Sequence, residues 1–392
     1  MKYRLSAYIW PVIFVGFLLS GRWSLTRIYE TMQLNVYFME PRMLFASLLV
    51  VASLLFIDRL TVRGCVIIGS FGAFALVWLI SAAYAPEGAL SIGKAIDIIY
   101  LSIGVISALV LFNAPGRLRA LVRVLYFALI SMAVLATIMI FLGQGGRIAI
   151  LGGGPNIFGR NMAILCMLSI IYNDHSISRQ RLPYKLSVLL GGSLLLLTQS
   201  RGAVFSLGCA LIAYYVFVGK IRPFVIFRAV FAGSVLGLVV WFTDLKVTLL
   251  GPIASRFTYY GYGEGMLGAR YDLFVGAFNM WRENWLLGKG IGTTSISIGF
   301  YPHNVLLEIL AEVGLVGLVA LIVFIAASLS TKGIRRPFLN IPVLIIAIVV
   351  FAGAQFSGDI YDSRFLFSVL PLLWSENVLM KFKTNSGVSI IR

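Results

Sequence analysis

The chain has 392 residues, 60% of them hydrophobic and 12% charged, with a mean hydropathy of +0.95 and a net charge of +17. A soluble domain carries about 25% charged residues, so this composition excludes a soluble globular protein and implies an integral membrane protein. The two histidines and three cysteines (Cys65, Cys166 and Cys209, all in apolar runs) have no metal-ligand spacing, so neither a metal centre nor a cofactor is expected.

A membrane-spanning helix needs about 20 apolar residues. Twelve stretches, several of them short, are candidates in chain order: 5–20, 43–57, 65–84, 89–112, 120–142, 155–172, 184–199, 203–219, 223–243, 304–328, 339–357 and 364–380. The first, in MKYRLSAYIWPVIFVGFLLSG, resembles a signal peptide, but further spans follow at once, so it reads as retained. The expected fold is all-α: a polytopic bundle of about twelve spans forming one integral membrane domain over 1–392. The longest connection is 244–303.

Alternate connections hold nineteen lysines and arginines against Asp58, Asp174 and Glu376, for a net charge of +16; the other side nets +1. The positive-inside rule then places both termini in the cytoplasm and the 244–303 loop outside. The +17 thus follows membrane orientation, and no nucleic-acid partner is implied. The outer side carries ten arginines but three lysines, one of them Lys94. Arginine's flat, permanently charged fork suits paired phosphate or carboxylate oxygens.

Three of those arginines stand in unusual places. Arg201, in LLLLTQSRGAVFSL, tips a tight helical hairpin. The run from Lys185 climbs only about 22 Å at 1.5 Å per residue, against a hydrocarbon core of about 30 Å. That sets Arg201 below the outer surface, where a charge needs a partner or a wet cavity. Arg270 opens GARYDLFVGAFNMWRENW, an amphipathic helix at the outer interface. At 100° per residue, Phe274, Phe278, Trp281 and Trp285 fall within about 80° of Arg270, which therefore lies on the apolar face. Arg364 opens the last candidate span after Asp359 and Asp362, and an internal ion pair is its simplest role.

The stretch YPHNVLLEILAEVGLVGL begins with Tyr301, which Pro302 biases away from helix. Asn304 is a good N-cap, so a helix should start at Val305. Asn304, Glu308 and Glu312 then share one face, which must meet protein or water rather than lipid. Gly314 and Gly317, with Ala311, allow close helix packing deeper in. His303, just outside the helix, has an imidazole that can take a proton near neutrality. A base beside anion-holding cations is what displacement of a phosphate leaving group requires.

These motifs resemble those of the O-antigen ligase and polymerase superfamily. The segments are SRGA at 200–203, Arg270 before WLLGKGIG, HNVLLEILAEVGLVG at 303–317 and GGGPNIFGRN at 152–161. The resemblance implies a metal-independent, inverting glycosyltransferase of the bacterial inner membrane, working on the periplasmic face. Its donor would be a glycan on undecaprenyl pyrophosphate. Its acceptor would be a lipid-linked repeat unit in a polymerase, or the lipid A–core sugar in a ligase. A chain-length regulator protein is a further partner such enzymes take. By motif, His303 matches the catalytic histidine and Arg201 and Arg270 the pyrophosphate-binding arginines. Asn304 and Glu312 match family positions; Arg160 and Arg364 are supporting candidates outside the core motif.

Two other classes fit less well. A membrane-bound O-acyltransferase also uses a lone intramembrane histidine, but it needs no arginines at that level. A lipid-linked oligosaccharide transporter should line a path through the bilayer with charge, and the chain has no inverted internal repeat of the kind transporters show.

Overall fold

A computed structural model describes residues 2–21, 41–113, 115–143, 148, 150, 154–176, 181–219, 267–334 and 337–376. The expected span 223–243 and Arg22, Arg27, Arg147 and Arg256 lie outside the described residues, as does the 244–266 part of the long connection.

The described chain is helical. Its helices are α1 (Lys2–Leu19), α2 (Pro41–Leu55), α3 (Val62–Ile80), α4 (Ser91–Phe112), α5 (Pro115–Phe141), α6 (Gly154–His175) and α7 (Arg181–Leu197). They continue with α8 (Arg201–Phe217), α9 (Leu267–Glu283), α10 (Thr293–Ser297), α11 (Val305–Leu329), α12 (Ile341–Ala354) and α13 (Arg364–Val369). Two three-residue strands, β1 (Pro337–Leu339) and β2 (Trp374–Glu376), pair antiparallel with Phe338 opposite Ser375. Five helical stretches are long and apolar enough to cross a membrane: Val62–Ala83, Ser91–Phe112, Gly116–Phe141, Gly154–His175 and Val305–Leu329.

Their side chains are apolar outward as well as inward. In α3, Ile67, Phe71, Phe74 and Trp78 are buried, whereas Val66, Leu76 and Ile80 on the opposite side are more than half exposed. Helices apolar all round belong in lipid, and the chain is a multi-pass membrane protein. The inward aromatics form the centre of one continuous core. Phe71 meets Phe324 of α11 edge-on at 5.0 Å, and Phe74 stacks on Phe367 of α13 at 5.8 Å.

The twelfth expected span, 364–380, is not a continuous helix. The α13 helix ends at Val369, a 3-10 turn covers Leu370–Leu372, and β2 begins at Trp374. Pro371 in that turn cannot donate a backbone hydrogen bond, and every residue from Phe365 to Leu373 is buried. The run is apolar because it fills the bundle's interior.

The second departure is at Gly314. Its φ of 64° and ψ of −160° break α11, which the sequence predicts as regular. The stretch WLLGKGIG enters that break. Leu315 and Val316 donate to the carbonyls of Trp285 and Leu286 at 2.9 and 3.1 Å, and Lys289 and Gly290 donate to those of Ala311 and Glu312 at 2.9 Å each. The backbone groups freed by the kink are thus re-paired, as a helix interruption inside a membrane bundle demands. Gly288 and Gly314 both have positive φ, and a Cβ on either would collide with the other segment's main chain. Gly314→Ala should therefore cost at least about 1–3 kcal/mol, the range for forcing a side chain into this backbone region. A thermal-unfolding midpoint unchanged from wild type would show that the break relaxes instead.

Candidate functional site

His303 stands where sequence reasoning expects it, immediately before α11. Asn304 is the N-cap: its Oδ1 accepts from the backbone N–H of Leu306 and Leu307, both at 3.0 Å. His303 itself has φ 56°, a left-handed conformation uncommon for residues other than glycine, asparagine, aspartate and histidine. Its half-buried ring meets Tyr301 edge-on at 4.6 Å and Phe300 at 5.5 Å. Two aromatic walls and a constrained backbone hold the imidazole in place.

The α7–α8 hairpin expected around Arg201 is present. Ser200 caps α8 by accepting from Ala203 N–H, and Arg201, the first residue of α8, is exposed on the protein surface. Three residues at and just past the end of α12, Gly353, Gln355 and Phe356, tie the hairpin to His303. A Cβ at Gly202 would come within 2.7 Å of the Cβ of Phe356, so the close approach of α8 to this turn needs a glycine. Asn304 Nδ2 donates to the Gln355 carbonyl at 3.3 Å. At Gly353, a Cβ would strike the methylene stem of Arg160. The elements bearing Arg160, Arg201 and His303 therefore converge on one turn, residues 353–356.

Arg270 lies in the first turn of α9, and its side chain lies outside the described residues. The helix is present but packs on a different face from the aromatic one predicted. Ala277 and Met280 are buried against Ala311 of α11, while Phe278 is 46% exposed. Small side chains admit the close helix contact, leaving the bulky ring to the surroundings. The helix ends at Glu283, so Trp285 belongs to the loop that enters α11.

Glu308 and Glu312, fully buried, face Lys94 of α4. Lys94 Nζ lies 2.5 Å from Glu308 Oε1 and 2.7 Å from Glu312 Oε1. Of the two contacts, the one to Glu312 has hydrogen-bond geometry. Glu312 also accepts from Gly292 N–H at 2.8 Å, from Thr294 N–H at 3.2 Å and from the Thr294 hydroxyl. It therefore holds the glycine-rich loop and the start of α10 onto α11, a positioning role. Sequence reasoning missed Lys94 as its partner. The signal was a lysine three residues into an apolar run, a placement that calls for a counter-charge.

Arg364 makes the internal pair expected of it, 3.7 Å from Asp362 Oδ1. It also donates to the Leu18 and Tyr361 carbonyls at 2.9 and 3.4 Å. Neighbouring Arg42 pairs with Asp97 at 3.2 Å and lies over the Tyr100 and Tyr361 rings. Burial pushes the Tyr361 phenol above its ordinary range. A groove of about 480 Å³ runs from Val305, Leu306 and Gln355, beside His303, down to Leu329 and Leu373.

No curated protein matches the chain. Residues 186–322, which include Arg201, Arg270, His303 and the clasped break of α11, match the family model described as O-antigen ligase. Arg201, Arg270, His303 and the clasped break of α11 thus lie within one segment of this multi-pass helical bundle that is similar to the O-antigen ligase family.

Proposed function

We propose that this protein is an inner-membrane glycosyltransferase. It moves a glycan from undecaprenyl pyrophosphate to a saccharide acceptor on the periplasmic face, as an O-antigen or polysaccharide repeat-unit polymerase. The observation that carries the reading is the convergence of the Arg201 and His303 elements on residues 355–356, through Gly202 against Phe356 and Asn304 on Gln355. The charge bias of the connections favours this end as the periplasmic one.

In this mechanism the acceptor hydroxyl gives its proton to the imidazole of His303. The oxygen attacks the anomeric carbon from the face opposite the leaving group, so the centre inverts. The bond from that carbon to the pyrophosphate oxygen breaks, and the electron pair leaves on the pyrophosphate. Arg201 and Arg270 hold the growing negative charge, the work a metal ion does elsewhere. The polyprenyl tail takes the apolar groove between α8, α11 and α12, which opens beside His303. Asn304 supports the site by fixing the start of α11.

Ligase activity toward lipid A–core is the second reading, favoured by the description of the matched family. A deletion strain separates the two. Lipopolysaccharide bands stopping at one repeat indicate the polymerase; polymer left on the carrier lipid indicates the ligase.

The mechanism is tested in a reconstituted transfer assay. Arg201→Ala and Arg270→Ala should each lower the rate about 10²–10³-fold, as loss of one donor to a developing oxyanion does. Wild-type activity should survive a strong chelator. Strict dependence on a divalent cation would refute the scheme, as would two arginine variants of normal rate.

A further inference from the structure

Arg160 of α6 is 4% exposed, and neither Nη1 nor Nη2 has a hydrogen-bond partner among the described residues. A guanidinium brings five donors and keeps its charge in proteins. Leaving such donors unmade in a buried place is costly, and the few native examples call for an explanation. The fold makes deliberate room for this side chain: α12 has a glycine, Gly353, where any Cβ would strike the Arg160 stem.

Arg160 borders a cavity of about 10 Å³, with Asn161, Asp362 and Arg364 as its polar lining and Leu18, Ile157 and Phe365 among its apolar lining. Arg364 is already engaged with Asp362 and with two carbonyls. The groups acting electrostatically on Arg160 are Asp362, Arg364, Asp359 and Tyr301. Tyr301 is also the wall of His303. A space of this size admits one water-sized group, hence one oxygen atom. A guanidinium fork fits a phosphoryl oxygen, with its charge, better than it fits a neutral water.

We propose that this cavity seats one oxygen of a phosphoryl group and that Arg160 is a third cation of the donor site, deeper than Arg201. The donor's identity rests on the function proposed above; the oxyanion seat rests on the two Nη groups left without a hydrogen bond among the described residues, the Gly353 cradle and the cavity.

The test uses the full chain purified in a maltoside, free of phosphate, with inorganic pyrophosphate as the probe in calorimetric titration. Arg160→Met keeps the stem and removes the charge, and it breaks no hydrogen bond of Nη1 or Nη2 among the described residues. It should weaken pyrophosphate binding at least tenfold, with Arg160→Lys intermediate. If Arg160→Met does not fold, Arg160→Lys carries the comparison, with binding weakened at least threefold. Equal affinity for wild type and variant means that the cavity holds only water, and the proposal fails. The same difference should persist in phospholipid nanodiscs; its disappearance there would assign the seat to bilayer headgroups and overturn the donor role. A wild type that binds pyrophosphate through Arg160 but transfers no glycan keeps the oxyanion seat and removes the proposed function instead.

Discussion

His303→Asn is expected to fold like wild type and to transfer glycan about 10²–10⁴-fold more slowly, the range a positioned general base contributes. Asparagine is the informative replacement because His303 sits at φ 56°. An alanine there would add backbone strain to the loss of the imidazole, whereas asparagine tolerates the left-handed region. The two effects separate in two measurements, a melting midpoint and a single-turnover rate at saturating donor. An unchanged midpoint with a collapsed rate assigns chemistry to the ring. A rate within threefold of wild type, in protein of normal stability, would end the base assignment. The pH profile adds an independent readout. If the neutral imidazole accepts the proton, wild-type rate should fall as pH drops through the histidine range, and the variant's residual rate should lack that limb.

Lys94→Met is expected to be the most damaging substitution for stability, by about 3–5 kcal/mol, the cost of removing one partner from a buried ion pair. Two fully buried carboxylates, Glu308 and Glu312, share the Lys94 ammonium as their counter-charge among the described residues. Methionine fills much of the same volume, so the loss would report charge rather than packing. The control is the triple variant Lys94→Met, Glu308→Gln, Glu312→Gln. Neutralising the whole cluster should recover part of the lost stability, since amides of similar shape need no counter-charge. Thermal unfolding in one detergent reads all three proteins. A single variant as stable as wild type would mean that water or a second cation already serves the glutamates. Transfer activity should follow Glu312 more closely than Glu308, because Glu312 also holds Gly292 and Thr294.

The sequence was readable where one local rule decides. Asn304 before an apolar run is a cap, and the helix begins at Val305 as that rule requires. The four-residue spacing of Asn304, Glu308 and Glu312 placed both carboxylates away from lipid, and both are buried against protein. Long-range partners were not readable. Lys94 lies more than 200 residues from Glu312, and nothing near either names the other. Gly314 resembled an ordinary small residue at a helix contact, because φ is set by the loop that enters beside it. Likewise, apolarity alone could not separate the interior-filling run at 364–373 from a lipid-facing span. Apolar helix looks alike by hydropathy whether it faces lipid or protein.

The insertion of 285–290 into α11 is made by main chain on main chain. Such a joint is indifferent to which side chains flank it, so long as its glycines stay. Leu286 and Leu287, 46% and 53% exposed, are free to change without disturbing the joint. Substitution of these two side chains should therefore reshape the surface here while the spacing between the α9 and α11 frameworks stays unaltered.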